Sequence, residues 1–268
     1  MRIATLSGPL QTFMNPKHRG AERCISLMLH HQRDSSSIGL ILASLPKELP
    51  SLKNLSVFGF VDPVNGSQFP NCPLLERVAI FDHLNSSPTF WRTSFAHVTT
   101  LSFGNTERWE QCDMEMLLLF PLLHDLRLSA SGGKVYRDAF GSQLRVQFEY
   151  LRILRVHGAI PSRVLTGIVA PALEELNISE SYFNLTSIDE LLISFEPLCL
   201  HLIALLSEGI SVVDPIWATP LSKLVEKCSR LEELHISKWM EEELLGCRTA
   251  GGWGFSGSIA TKTWHCVE

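Results

Sequence analysis

One pattern constrains this chain more than any other: an apolar residue followed by L-x-x-L-x-φ spacing, in which φ is Leu, Ile, Val or Phe. It occurs as Leu52/Leu55/Val57, Leu75/Val78/Ile80, Val98/Leu101/Phe103, Leu123/Leu126/Leu128, Leu151/Leu154/Val156, Leu173/Leu176/Ile178 and Leu231/Leu234/Ile236. The first positions are 23, 23, 25, 28, 22 and 58 residues apart, and the long gap has room for one more unit at Leu200/Ile203/Leu205. Two further positions keep the same phase. Three residues before the first apolar position stand Leu49, Cys72, Phe95, Phe120, Phe148, Ala170 and Cys228, all types that bury readily. The next residue is Pro50, Pro73, Pro121 or Pro171 in four units, where proline halts a preceding helix. Chance alignment of leucines would not carry two more phased positions with it.

Such a unit cannot bury its own apolar face, so it must stack on copies of itself. The expected fold is an α/β solenoid of about eight irregular repeats, with a curved parallel sheet on the concave side and helices on the convex side. Helical periodicity between the strands supports this arrangement. Met114, Leu117 and Leu118 recur at i, i+3 and i+4, and Val164, Leu165, Ile168 and Val169 follow Pro161. Leu221, Leu224, Val225 and Cys228 share a face after Pro220, and Ser187 to Glu190 matches a capping box. The stretches 21–31 and 37–45 also read as helices, and 2–7 as a lone strand of an earlier unit. The expected organisation is a helical or partial-repeat segment over 1–45, the repeat domain over 46–245, and an irregular Gly-rich tail over 246–268.

A stack of this kind accounts for a composition that is otherwise unusual. Hydrophobic residues make up 45% of the chain and mean hydropathy is +0.12, yet no apolar run is long enough to span a membrane. The most apolar long stretch, 185–206, is interrupted by Asp189, Glu190, Glu196 and His201. The apolar content excludes a disordered chain, and a net charge of -5 argues against a nucleic-acid binder. The N-terminus lacks the apolar core of a secretory signal, so a cytoplasmic or nuclear location is expected. The 7 cysteines are scattered without C-x-x-C spacing, which indicates neither a disulfide framework nor a zinc module. Five N-x-S/T sequons, at Asn54, Asn65, Asn85, Asn177 and Asn184, are read in that light as chance matches.

The phrases CPLLERVAIFD, FPLLHDLRLS, APALEELNIS and CSRLEELHIS closely resemble leucine-rich repeats of the ribonuclease-inhibitor-like type found in fungal F-box/LRR proteins. The resemblance covers roughly residues 45–240. It implies a substrate-receptor subunit of a cullin-type ubiquitin ligase, in which an F-box docks an adaptor and the repeats hold the target. No F-box precedes the repeats in this sequence, and LPKELP at 45–50 is read as a linker. A cullin-ligase adaptor is therefore expected as a partner only if an F-box lies upstream.

Readings that would make the chain an enzyme are weaker. Gly252 to Gly257 matches the letters of a dinucleotide fingerprint, but no strand precedes it and no acidic residue follows at the required distance. His30/His31 and His265/Cys266 lack a second ligand pair, and Asp82/His83 has no nucleophile elbow to serve. Glu174/Glu175 and Glu232/Glu233 fall at one repeat phase, which marks them as strand-edge residues. No catalytic residue, cofactor or metal is expected. What remains is the outward face of the strands, because strand side chains alternate. Its candidate partner-binding residues are Phe58, Arg77, Phe81, Arg127, Arg155, His157, Glu175 and Glu233, since aromatic anchors beside arginines are common at protein interfaces. The function expected is a non-catalytic scaffold that binds a protein partner, with no nucleic acid and no membrane involved. The alternative is a structural or regulatory module, or a truncated fragment, without attachment to a ubiquitin ligase.

Overall fold

A computed structural model describes residues 22–30, 45–59, 69–81, 95–105, 111–130, 145–158, 160, 164–165, 167–179, 204–208, 230, 232–236 and 263–265. The described residues form a parallel β-sheet solenoid with few helices. Its main sheet contains β1 (Ser26–His30), β2 (Asn54–Phe58), β3 (Arg77–Phe81), β4 (Thr100–Asn105), β5 (Asp125–Ala130), β7 (Ile153–Gly158), β9 (Glu175–Ser179), β10 (Ala204–Glu208), β11 (Glu233–Ile236) and β12 (Thr263–His265). They lie side by side in that order, each parallel to the next. A separate two-stranded sheet pairs β6 (Val146–Gln147) with β8 (Ile168–Val169). Helix α1 (Gln111–Leu117) precedes β5, and Val164 and Leu165 are also helical, as expected after Pro161.

The register confirms the phase of the repeat. Leu55, Val78, Leu101, Leu126, Leu154, Leu176, Leu205 and Leu234 form one continuous row across β2 to β11. The weak unit is therefore shifted by two residues: Leu205 takes the row expected of Ile203, and Ser207 follows where an aliphatic residue stands elsewhere. A shift of two keeps the same side chains on the same face, so the error does not turn the strand over.

Inside the coil the apolar positions form stacked rows. Leu52, Leu75, Val98, Leu123, Leu151 and Leu173 are fully buried, and the earlier phased row from Leu49 to Ala170 is at most 3% exposed. Within that earlier row, Phe95 stacks on Phe120 at 4.7 Å between ring centroids, and Phe69, from outside the row, leans on Phe95 at 6.0 Å. The prolines sit at the first corner of a tight turn. The amides of Leu52, Leu75 and Leu173 donate to the carbonyls of Leu49, Cys72 and Ala170, each at 3.1 Å. Proline's fixed φ suits that second position of the turn.

A backbone column then joins the units just before each strand. The carbonyls of Ile25, Lys53, Glu76, Thr99, His124 and Arg152 each accept two amides from the next unit, at 2.8–3.1 Å. For example, the amides of Glu76 and Arg77 both donate to Lys53. Both lone pairs of each carbonyl are thereby used, and β2 to β5, β7 and β9 enter the sheet at a set height.

Several helical expectations are corrected. The stretch 21–31 contains strand β1, because Leu27 and Leu29 alternate inward while Ser26 and Met28 remain exposed. Ile168 and Val169 form β8 and pair with Val146 and Gln147. Lys47 to Leu49 is also extended, bonded to Asn71 in both directions. Ahead of their turns Glu48 and Asn71 form a parallel bridge and β6 pairs with β8, whereas helix leads towards Phe120. There α1 buries Met114, Met116 and Leu117, and Leu118 turns outward. Thr263–His265 in the tail pairs with β11, although no apolar spacing marks it. The remaining expected helices, at 37–45, 187–193 and 220–228, and the strand at 2–7, lie outside the described residues apart from Leu45.

Cys72 carries a pH consequence of this packing. Its Sγ donates to the Pro70 carbonyl at 3.4 Å. Burial pushes the thiol up to about 12, with Cys24 adding to the shift. The folded chain therefore keeps a proton on Cys72 that the unfolded chain releases near pH 9, so this group's effect is to lower stability as pH rises from about 9 towards 12. In urea titrations, the stability advantage of wild type over Cys72→Ala is expected to shrink over that window. A constant difference would contradict the buried, protonated thiol.

Candidate partner-binding face

The strand residues between the buried rows emerge on the opposite side of the sheet. In β2, Asn54, Ser56 and Phe58 are half-buried while Leu55 and Val57 are closed in. The same alternation runs through β3, β5 and β7. Three rows of register positions result. One runs Asn54, Arg77, Thr100, Asp125, Ile153, Glu175, Ala204 and Glu233. The next runs Ser56, Ala79, Ser102, Arg127, Arg155 and Asn177. The third runs Phe58, Phe81, Gly104, Ser129, His157 and Ser179. All eight candidate residues therefore belong to one sheet, at register positions on one side of it.

Phe58 and Phe81 are direct register partners, and their rings stack at 4.9 Å with planes 8° apart. Gly104 allows this. A Cβ at that position would meet Phe81 Cδ1 at 2.6 Å and Ser129 Oγ at 2.5 Å, so the missing side chain is the space the ring occupies. Sequence spacing identified both phenylalanines but not this third member of the platform. The signal was there, since Gly104 alone interrupts the side chains at its row from Phe58 to Ser179.

The charged residues divide into two groups. Arg155 is held by its neighbours: one guanidinium nitrogen bonds the Asp125 carboxylate, and the other stands 3.7 Å from Glu175 Oε1. Three strands, β5, β7 and β9, are thereby joined across the face. All three side chains are roughly one-third exposed, so solvent weakens the pairing without removing it. Arg155 and Glu175, both candidates for partner contact, are thus also ion-paired with each other within the fold. Asp125 was not singled out, because its role depends on pairing with a residue 30 positions away. Arg77 and Arg127 differ: both are exposed, and neither forms an ion pair among the described residues. Asn177 Oδ1 is buried beside this group without a hydrogen-bond donor.

Outside the face, Arg152 Nε and Nη2 donate to Glu174 Oε2 at 2.9 and 2.6 Å, and Lys53 Nζ lies 3.6 Å from Glu76. These pairs follow the backbone column and brace consecutive units along its edge.

Among the described residues, no three His, Cys, Asp or Glu side chains are grouped to hold a metal. None of the described helices is long and apolar enough to cross a membrane. The fingerprint at 252–257, Asp82/His83, His31 and Cys266 lie outside the described residues. Neither a family model nor a curated protein matches the chain.

Proposed function

We propose that this chain is a non-catalytic protein-recognition scaffold of the leucine-rich-repeat type, with about eight irregular repeats. In this reading it binds its partner over β2 to β5. The observation that carries it is the stacked Phe58–Phe81 pair on one face with two arginines that have no carboxylate partner among the described residues. Aromatic and arginine side chains dominate binding energy at protein interfaces, and here they share a half-open sheet face. The repeat phrases support a substrate-receptor role of the F-box/LRR kind in the cytoplasm or nucleus. Attachment to a cullin ligase would require an F-box from the same gene. The β5–β9 part of the face, where Arg155 is already paired with carboxylates, fits a structural role better and marks the far limit of the binding surface.

The test is capture of cellular partners by the full chain, read by mass spectrometry with adaptor and cullin subunits scored separately. Phe81→Ala combined with Arg127→Ala is expected to remove the captured partner while lowering the thermal midpoint by no more than about 2–4 °C, because Arg127 is exposed and Phe81 is only half-buried on an outward face. Capture that survives the double substitution would rule out this face. Co-purified cullin would place the chain in a ligase, and a partner without cullin would favour a free-standing module.

A further inference from the structure

Charge is distributed unevenly on the open face. From β2 to β4 its outward residues are Asn54, Ser56, Phe58, Arg77, Ala79, Phe81, Thr100, Ser102 and Gly104, with Arg127 next on β5. Among the described residues that area has two cations and no unpaired carboxylate, on a chain whose net charge is -5. The nearest carboxylate, Asp125, is taken by Arg155.

The registers place these groups at the corners of a triangle. Arg127 is level with Ser102 and Ala79, and Arg77 is level with Thr100. With strands about 4.8 Å apart and about 3.3 Å of rise per residue, Arg77, Arg127 and Phe81 are each about 12–13 Å from the other two at their Cα atoms. Between them lies a floor of short side chains: Ala79, Thr100, Ser102 and Gly104. A trough is therefore bounded by two guanidinium groups and an aromatic stack, and hydroxyls line its bottom.

Resting on the recognition reading above, we infer that the occupant of this trough is an extended acidic segment of a partner protein. It would carry two carboxylates for Arg77 and Arg127 and one large apolar side chain for the Phe58–Phe81 stack. Carboxylates match guanidinium groups in charge and fork geometry. An extended peptide covers the triangle in about four residues, and its apolar residue gains the contact area that surface charge pairs lack. Two unpaired cations on the described face match two carboxylates and are too few for the run of phosphates in a polyphosphate backbone.

The experiment selects random phage-displayed peptides on the immobilised full chain. It then measures anisotropy of labelled Gly/Ser peptides carrying two Glu and one Phe, alongside their Gln and Lys counterparts. Selected peptides are expected to be enriched in Asp or Glu near a large apolar residue. The Glu peptides should weaken about tenfold with either Arg77→Glu or Arg127→Glu, and the double reversal should prefer the Lys peptides. Melting curves confirm that these exposed substitutions leave the fold intact. Peptides that depend on Phe81 but show no acidic preference would overturn the inference and leave the recognition face standing. Oligothymidylate binding through Arg127 in their place would overturn it in favour of nucleic acid. Absence of any peptide sensitive to Phe81→Ala would remove both readings.

Discussion

Gly158→Ala is expected to destabilise the chain by about 2–4 kcal/mol, the larger part from backbone collision and the rest from conformation. Gly158 ends β7 at φ 77, a left-handed conformation that costs a residue with a Cβ about 1–2 kcal/mol. It also faces Ala130, the last residue of β5, so closely that a Cβ would stand 1.9 Å from the Ala130 carbonyl oxygen. The obstacle is backbone within a hydrogen-bonded sheet and cannot rotate aside. Gly104 provides the internal comparison. Its Cβ would also collide, but with the ring of Phe81 and the hydroxyl of Ser129, which are able to swing. Gly104→Ala should therefore cost much less stability and mainly unstack Phe81 from Phe58. Chemical denaturation of the two variants, with equal losses, would contradict this distinction.

The second large effect is expected in the central row. Leu126 and Leu154 are fully buried, register partners on adjacent strands, and flanked by Leu101 and Leu176. Truncating either to alanine removes transfer energy and leaves a cavity the stacked strands cannot easily close, a loss of about 2–5 kcal/mol. Thermal melts unchanged by both substitutions would mean that these leucines are not core. Replacing Leu118, which is half exposed, should cost far less although it lies in the same apolar run.

How much of this was legible depends on where the determining contacts lie. Strands β2 to β5, β7, β9 and β11 follow from apolar positions within six residues of one another, and those positions are the buried ones where the structure describes them. Strand β1 was hidden because Leu27 and Leu29 sit in a stretch that also satisfies helical spacing. The Leu200 unit was misplaced by two because apolar residues surround it on both sides, so only pairing with β9 selects Leu205. The extended segments of β6 and β8 are too short to show a period at all. For the face, alternation was enough to locate all eight residues, but not to sort them. Whether an arginine is spent within the fold or open to a partner depends on neighbours one and two strands away, as Asp125 and Glu175 show for Arg155.

The column of carbonyls that each accept two amides has a mechanical consequence. Those bonds, like the strand pairs they introduce, run along the stacking axis, so tension between the two ends of the solenoid loads them in series. Strands pulled in that direction open like a zipper, one bond at a time, whereas strands pulled along their own length must break all their bonds together. The chain should therefore yield to stretching at low force and in steps, each releasing one unit, and remain stiff against shear across the sheet.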